Sequence, residues 1–69
     1  MRSYVLSIAG FDPSGGAGVL ADIKTFEQNC CLGMAVNTAN TVQTEDDFVS
    51  ANWVDDSIVL SQLDALLKR

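Results

Sequence analysis

The chain has 69 residues, 48% apolar and 19% charged, with a formal net charge of −5. That balance excludes a disordered tail and offers no basic surface for nucleic acid or an anionic membrane. No apolar run approaches the roughly 18 residues of a membrane-spanning helix, and the short apolar stretch before Asp12 does not read as a secretory leader.

Residues 3–9 read as a buried strand, because a β-rich apolar run ends at Gly10. Residues 10–15 read as a loop in which Pro13 suits a turn and Ser14 is the expected N-cap of the next helix. Residues 16–29 read as that helix. Val19, Leu20, Ile23, Phe26 and Cys30 recur at three- and four-residue steps on one face. Asp22 falls about 80° from the centre of that face, at the border of core and solvent near the loop. Lys24 and Thr25 point away, and Asn29 is the expected left-handed C-cap.

Residues 34–43 read as a second strand, with Asn37 and Asn40 suggesting an edge, a bulge or a functional face. Residues 44–47, TEDD, read as a polar loop. Phe48 to Trp53 reads either as a short strand or as an irregular excursion. Trp53 lacks the basic surroundings of a base-stacking platform and reads as a packing residue. Residues 56–69 read as a last helix capped by Asp55 and Asp56. Its apolar face is Val59, Leu60, Leu63, Leu66 and Leu67, and its basic end is Lys68 and Arg69.

The strand–helix–strand order predicts an α/β chain with a parallel crossover. A parallel pair needs both faces covered, which these elements do poorly. The expectation is therefore the front end of a larger protein. The alternative is a short protein that completes its sheet as a homo-oligomer. Cys30 and Cys31 are adjacent, which disfavours a strain-free disulfide. With no histidine in the chain they do not read as a zinc site. They read as reduced, partly buried thiols of a cytoplasmic protein.

The segment Gly10-Phe11-Asp12-Pro13-Ser14-Gly15-Gly16-Ala17-Gly18 joins strand to helix. It lacks the Gly-Lys-Ser/Thr ending of a triphosphate loop and the spacing of a dinucleotide loop. Glycines there let the backbone approach a small polar ligand, or simply make a tight turn. Asp12, Asp22 and Gln43 are the side chains placed for recognition. Gln43 stands at the C-terminal end of the second strand, where open α/β sheets bind ligands. Carboxylates and a carboxamide suit a polar heteroaromatic or a hydroxylated small molecule. Any one of the three, taken alone, reads better as a solvated residue, Asp12 and Asp22 as helix-start acids and Gln43 as a loop residue.

The run Ile8-Ala9-Gly10-Phe11-Asp12-Pro13-Ser14-Gly15-Gly16-Ala17-Gly18-Val19-Leu20-Ala21-Asp22-Ile23-Lys24-Thr25-Phe26 resembles the N-terminal signature of the hydroxymethylpyrimidine/phosphomethylpyrimidine kinases of thiamine biosynthesis, in the ribokinase-like superfamily. Gly33 to Gln43 resembles the family's G-M-S-A-I-T-A-L-T-A-Q, and the segment ending Ser61-Gln62-Leu63-Asp64-Ala65-Leu66 its next helix. The resemblance implies the N-terminal βαβα portion of a three-layer fold with a mostly parallel sheet, residues 1–69 forming part of one kinase domain. It implies a phosphotransferase that moves the γ-phosphoryl of MgATP to 4-amino-5-hydroxymethyl-2-methylpyrimidine and then to its monophosphate. Gly10, Asp22 and Gln43 match positions that hydrogen-bond this substrate, and Ala17 and Val42 match positions lining its ring. The family's catalytic residues, and most of its ATP and Mg²⁺ contacts, match nothing in this chain. The 69 residues by themselves are expected to be inactive. Phe11 stands where the family usually has serine, Asn37 and Asn40 where apolar residues are common, and Cys30 where glycine is usual. A larger side chain at Phe11 points to a pyridoxal kinase as the alternative. A non-catalytic pyrimidine-binding or assembly module is the other.

Overall fold

β1, Tyr4–Phe11, is the strand expected at residues 3–9, extended by two residues into the loop. A computed structural model describes residues 2–69. α1, Gly18–Gln28, follows the glycine loop, and β2, Leu32–Gln43, lies parallel to β1 with Leu6 opposite Met34 and Ile8 opposite Val36. The predicted parallel crossover is thus observed. The undecided segment forms β3, Phe48–Trp53, which pairs antiparallel with β2. The order is therefore β-α-β-β-α, and the described sheet is mixed, β1-β2-β3, with the longer pairing parallel. α2, Asp56–Leu67, completes the described chain.

The two helices lie on opposite faces of the sheet. Ser7 on β1 donates to Asp22 of α1, and a Cβ built on Gly33 would meet Ile23 Cδ1 at 2.8 Å and Phe26 Cδ2 at 3.1 Å. Side chains alternate along a strand, so Tyr4 and Met34 face the other way. Arg69, just beyond α2, lies there, 4.9 Å from the Tyr4 ring centre and with Nη1 3.3 Å from Met34 Sδ. Glycine at position 33 lets Ile23 and Phe26 press directly on the strand backbone. Val36, on the α2 side, is completely buried; Val19 and Ala39 complete the small apolar core.

Several expectations are corrected by the geometry. Ser14 does not cap α1; Ala17 holds the N-cap position without a side-chain bond. Asn29 is the C-cap but at φ −98°, and the left-handed residue is Cys30, at φ 59°. The helix end is closed instead by Cys31 N–H donating to the Phe26 carbonyl, while Asn29 Nδ2 donates to the Thr25 carbonyl. Turned outward by that conformation, Cys30 is exposed rather than part of the helix's apolar face; Cys31 is half-buried. Trp53 is 81% exposed on β3 and packs against little, and Leu60 and Leu67 of α2 are also exposed. Among the described residues β3 has no strand beyond it, which leaves Trp53 uncovered. The helix start at Asp55 is as expected: its carboxylate accepts from Ser57 N–H. Basic residues do not fall within the last turn of α2; Lys68 is its C-cap and pairs with Asp64 at 2.9 Å.

Candidate functional site

The glycine loop is organised by Asp12. Its Oδ1 accepts from the Ser14 backbone N–H at 2.9 Å and from the Ser14 hydroxyl at 2.7 Å. Its carbonyl accepts from Gly15 N–H at 3.0 Å, closing the turn around Pro13. The side chain bends the loop back on itself, which is why Ser14 is spent inside the turn rather than on the helix end. The Ser14 hydroxyl, with the backbone N–H groups of Ser14, Ala17 and Gly16, holds the Asp12 carboxyl below the usual carboxylate range, against the opposing effect of burial. The residue is only 5% exposed.

Gly18 brings the loop back onto β1. It sits at φ 66°, bridges to Phe11, and a Cβ there would overlap the Gly10 carbonyl oxygen. Only glycine meets both demands.

The loop, the end of β1 and the end of β2 together border a cleft of about 180 Å³, lined by Gly10, Phe11, Asp12, Ala17, Gly18, Thr41 and Gln43. It is smaller than the roughly 300–1,000 Å³ of drug-sized sites and suits a single small ring. Gln43 Nε2 donates to Thr41 Oγ1 at 2.7 Å, and Thr41 Oγ1 donates to the Phe11 carbonyl at 2.7 Å. Gln43 keeps Oε1 and one N–H outside this relay, an acceptor beside a donor. A larger hollow of about 490 Å³ runs along α2 beside Leu60, Leu63 and Leu67. It lies along the uncovered flank of that helix, apart from the glycine loop.

Of the residues singled out in the sequence, Gly10, Asp12, Ala17 and Gln43 come together at this cleft. Asp22 does not line it. It lies one turn into α1, where its Oδ2 accepts from Ser7 at 2.7 Å. Val42 does not line it either; it is 51% exposed and alternates to the opposite side of β2 from Thr41 and Gln43. Thr41 was not anticipated, although its two-residue spacing from Gln43 puts both on one side of the strand. Phe11, read in the sequence as a departure bearing on which substrate the pocket takes, also lines the cleft.

Lys24 is exposed, as expected of a residue off the helix's apolar face, and it reaches back along the helix so that a Cβ on Gly15 would lie 2.8 Å from its Nζ. Arg2 pairs with Glu27 at 3.1 Å, and Arg69 lies over Tyr4. Among the described residues no group of three or more Cys, Asp, Glu or His side chains is arranged to hold a metal ion.

Fold and site define a strand–loop–helix unit of an α/β protein with a small cleft at the C-terminal ends of its strands, where open α/β sheets bind ligands. The family model for phosphomethylpyrimidine kinase matches residues 12–69. A hydroxymethylpyrimidine/phosphomethylpyrimidine kinase of Saccharomyces cerevisiae is 45% identical over 64 residues, which is 93% of this chain and 12% of that protein. The crystal structure of a phosphomethylpyrimidine kinase from Clostridium difficile 630 superposes with a TM-score of 0.93 at 37% identity, covering 97% of this chain and 29% of that one. A Staphylococcus aureus pyridoxal kinase in complex with AMP-PCP superposes with a TM-score of 0.89 at 33% identity, covering 99% of this chain and 25% of that one. The chain belongs to the phosphomethylpyrimidine kinase family, and its architecture is that of the ribokinase-like kinases. It spans about a quarter or less of the length of the curated relatives it matches.

Proposed function

We propose that residues 1–69 form the substrate-binding part of a single kinase domain that phosphorylates 4-amino-5-hydroxymethyl-2-methylpyrimidine and its monophosphate for thiamine diphosphate biosynthesis. The observation that carries this reading is the Gln43 amide, open to a small cleft beside the glycine loop, in a chain of this family. Its acceptor and donor complement the amino group and adjacent ring nitrogen of an aminopyrimidine. Gly10 and Ala17 border the same space. Asp22 is kept as a substrate contact on the family resemblance alone, since its Oδ2 is held by Ser7 and its side chain lies outside the cleft lining. Val42, on the far side of β2, is assigned no contact.

ATP supplies the transferred phosphoryl group, with Mg²⁺ to offset its charge. The described residues do not make a triphosphate cradle. Two of the four basic residues are in salt bridges, Arg69 lies on an aromatic ring, and the chain is net acidic. Phosphate and metal contacts are therefore assigned to the parts of the family fold that this span does not match. No step of the transfer is routed through these residues. Cytoplasmic location and a small-molecule substrate, without nucleic acid or membrane partners, accord with the acidic charge. Among the described residues no helix is long and apolar enough to cross a membrane. A homo-oligomer is a further part of this reading, supported by the exposed apolar Phe48, Val49 and Trp53 on β3.

Pyridoxal kinase is the second reading, favoured by the bulk of Phe11 in the cleft wall and by the likeness to the Staphylococcus aureus enzyme. Parallel assays of the intact protein with MgATP separate the two. The expected result is transfer to hydroxymethylpyrimidine and to its monophosphate, with slower transfer to pyridoxal. Transfer to pyridoxal alone, or to none of the three, would overturn the proposal.

A further inference from the structure

We infer that Thr41 is a positioning residue that sets which way round the Gln43 amide faces the ligand, and so helps choose the heterocycle. The inference deepens the kinase reading and rests on it.

A carboxamide presents an oxygen on one side and an NH₂ on the other, and rotation about its last torsion exchanges them. Unconstrained, Gln43 offers either pattern to a ring. Thr41 removes that freedom by proton accounting. Its hydroxyl has one hydrogen, and that hydrogen is given to the Phe11 carbonyl at 2.7 Å. The Thr41 oxygen is then left only with lone pairs toward Gln43. At 2.7 Å, the group facing it must be the Nε2 donor, because an amide oxygen there would set two acceptors against each other. The amide orientation is thus dictated by a backbone carbonyl of β1, relayed through one hydroxyl.

The relay also explains the placement of its parts. Thr41 and Gln43 share one side of β2, two residues apart, and Phe11 ends β1 beside a register shift between the strands. The Phe11 carbonyl carries no sequence information, so the relay survives the unusual side chain at that position. The fixed pattern left for the ligand is one acceptor and one donor, Oε1 and the second Nε2 hydrogen. It complements a ring nitrogen flanked by an amino group. Pyridoxal, which has no amino group beside its ring nitrogen, can match only the donor half of it.

The test uses Thr41→Val, which keeps the shape and removes the hydroxyl, and Thr41→Ser, which keeps the hydroxyl. Both are made in the intact protein and assayed with MgATP on hydroxymethylpyrimidine and on pyridoxal. Thr41→Val is expected to raise KM for the pyrimidine about ten-fold, the usual scale for one lost hydrogen-bond partner. The pyrimidine kcat and the pyridoxal KM should change less than about two-fold, and Thr41→Ser should restore the pyrimidine KM. In a Gln43→Met background, Thr41→Val should add nothing further. In NMR spectra of the two proteins, the shift difference between the two Gln43 side-chain amide protons is expected to shrink in Thr41→Val, where neither proton has the Thr41 oxygen as a partner. An unchanged pyrimidine KM in Thr41→Val, or an equal loss in Thr41→Ser, overturns the positioning role while leaving the kinase reading in place. A parent protein that does not use hydroxymethylpyrimidine overturns both.

Discussion

Ser7 and Asp22 join β1 to α1 through a 2.7 Å hydrogen bond, with Ser7 only 4% exposed. The bond fixes the Asp22 carboxylate against β1, at the border of the helix's packed face. Ser7→Ala should lower stability by about 1 kcal/mol, the usual net value of such a bond. In a double-mutant cycle with Asp22→Ala, the coupling should account for most of that loss. Urea unfolding of the four proteins measures it, and additive losses would show that the pair is not coupled.

Gly33 has a different reason for being glycine. Its φ is not in the left-handed region, yet a Cβ there would press on Ile23 Cδ1 at 2.8 Å and on Phe26 Cδ2 at 3.1 Å. Gly33→Ala should cost about 1–3 kcal/mol through overpacking. Ile23→Val removes the Cδ1 atom, so the double variant should recover part of the loss. If Ile23→Val simply adds its own destabilisation, the contact is not the cause.

Cys30 carries backbone strain at an exposed site, φ 59°. Left-handed geometry costs a non-glycine residue roughly 1–2 kcal/mol, partly offset by the extra freedom glycine has when unfolded. Cys30→Gly is therefore expected to stabilise the protein by about 0.5–1 kcal/mol. Cys30→Ala, which keeps the Cβ, should not. A thermal melt of the three proteins distinguishes them.

The parallel β1–α1–β2 unit was legible because its signals are local and periodic. An apolar run, a glycine break and a helical stripe each stand in the sequence. The loop's internal wiring was not legible in the same way. Ser14 has the composition of an N-cap, but Asp12 two residues earlier captures both its N–H and its hydroxyl. Two local rules competed, and the Asp12 turn won. β3 was ambiguous because Phe48–Trp53 shows no clear alternation; Phe48, Val49 and Trp53 are all exposed. At the site, Gln43 was readable from its place at a strand end. Thr41 was not, because its role depends on the Phe11 carbonyl, a non-local partner that no side-chain pattern reveals.

Asp12 gives the loop a defined acid limit. Its carboxyl is held below the usual value of 3.8 by the Ser14 hydroxyl and the loop N–H groups. A depressed folded value means the contribution is complete above the unfolded pKa and is lost as pH falls through the lower folded one. Asp12→Asn keeps the acceptor oxygen but no longer titrates. Melting temperatures of parent and variant should differ at neutral pH and converge below about pH 3.8. Curves that stay parallel into acid would show that the charge on Asp12 does not hold the turn.

The central claim is that Gln43 reads an aminopyrimidine at the end of β2. Gln43→Met removes both hydrogen-bonding atoms at similar length and leaves the ligand's amino group and ring nitrogen unpaired, at about 1–3 kcal/mol. The most direct measurement is kcat/KM of the intact parent and of Gln43→Met, for hydroxymethylpyrimidine and for pyridoxal, with MgATP. The expected outcome is a fall of roughly ten- to a hundred-fold for the pyrimidine, with a much smaller change for pyridoxal. Equal losses for the two substrates would contradict it.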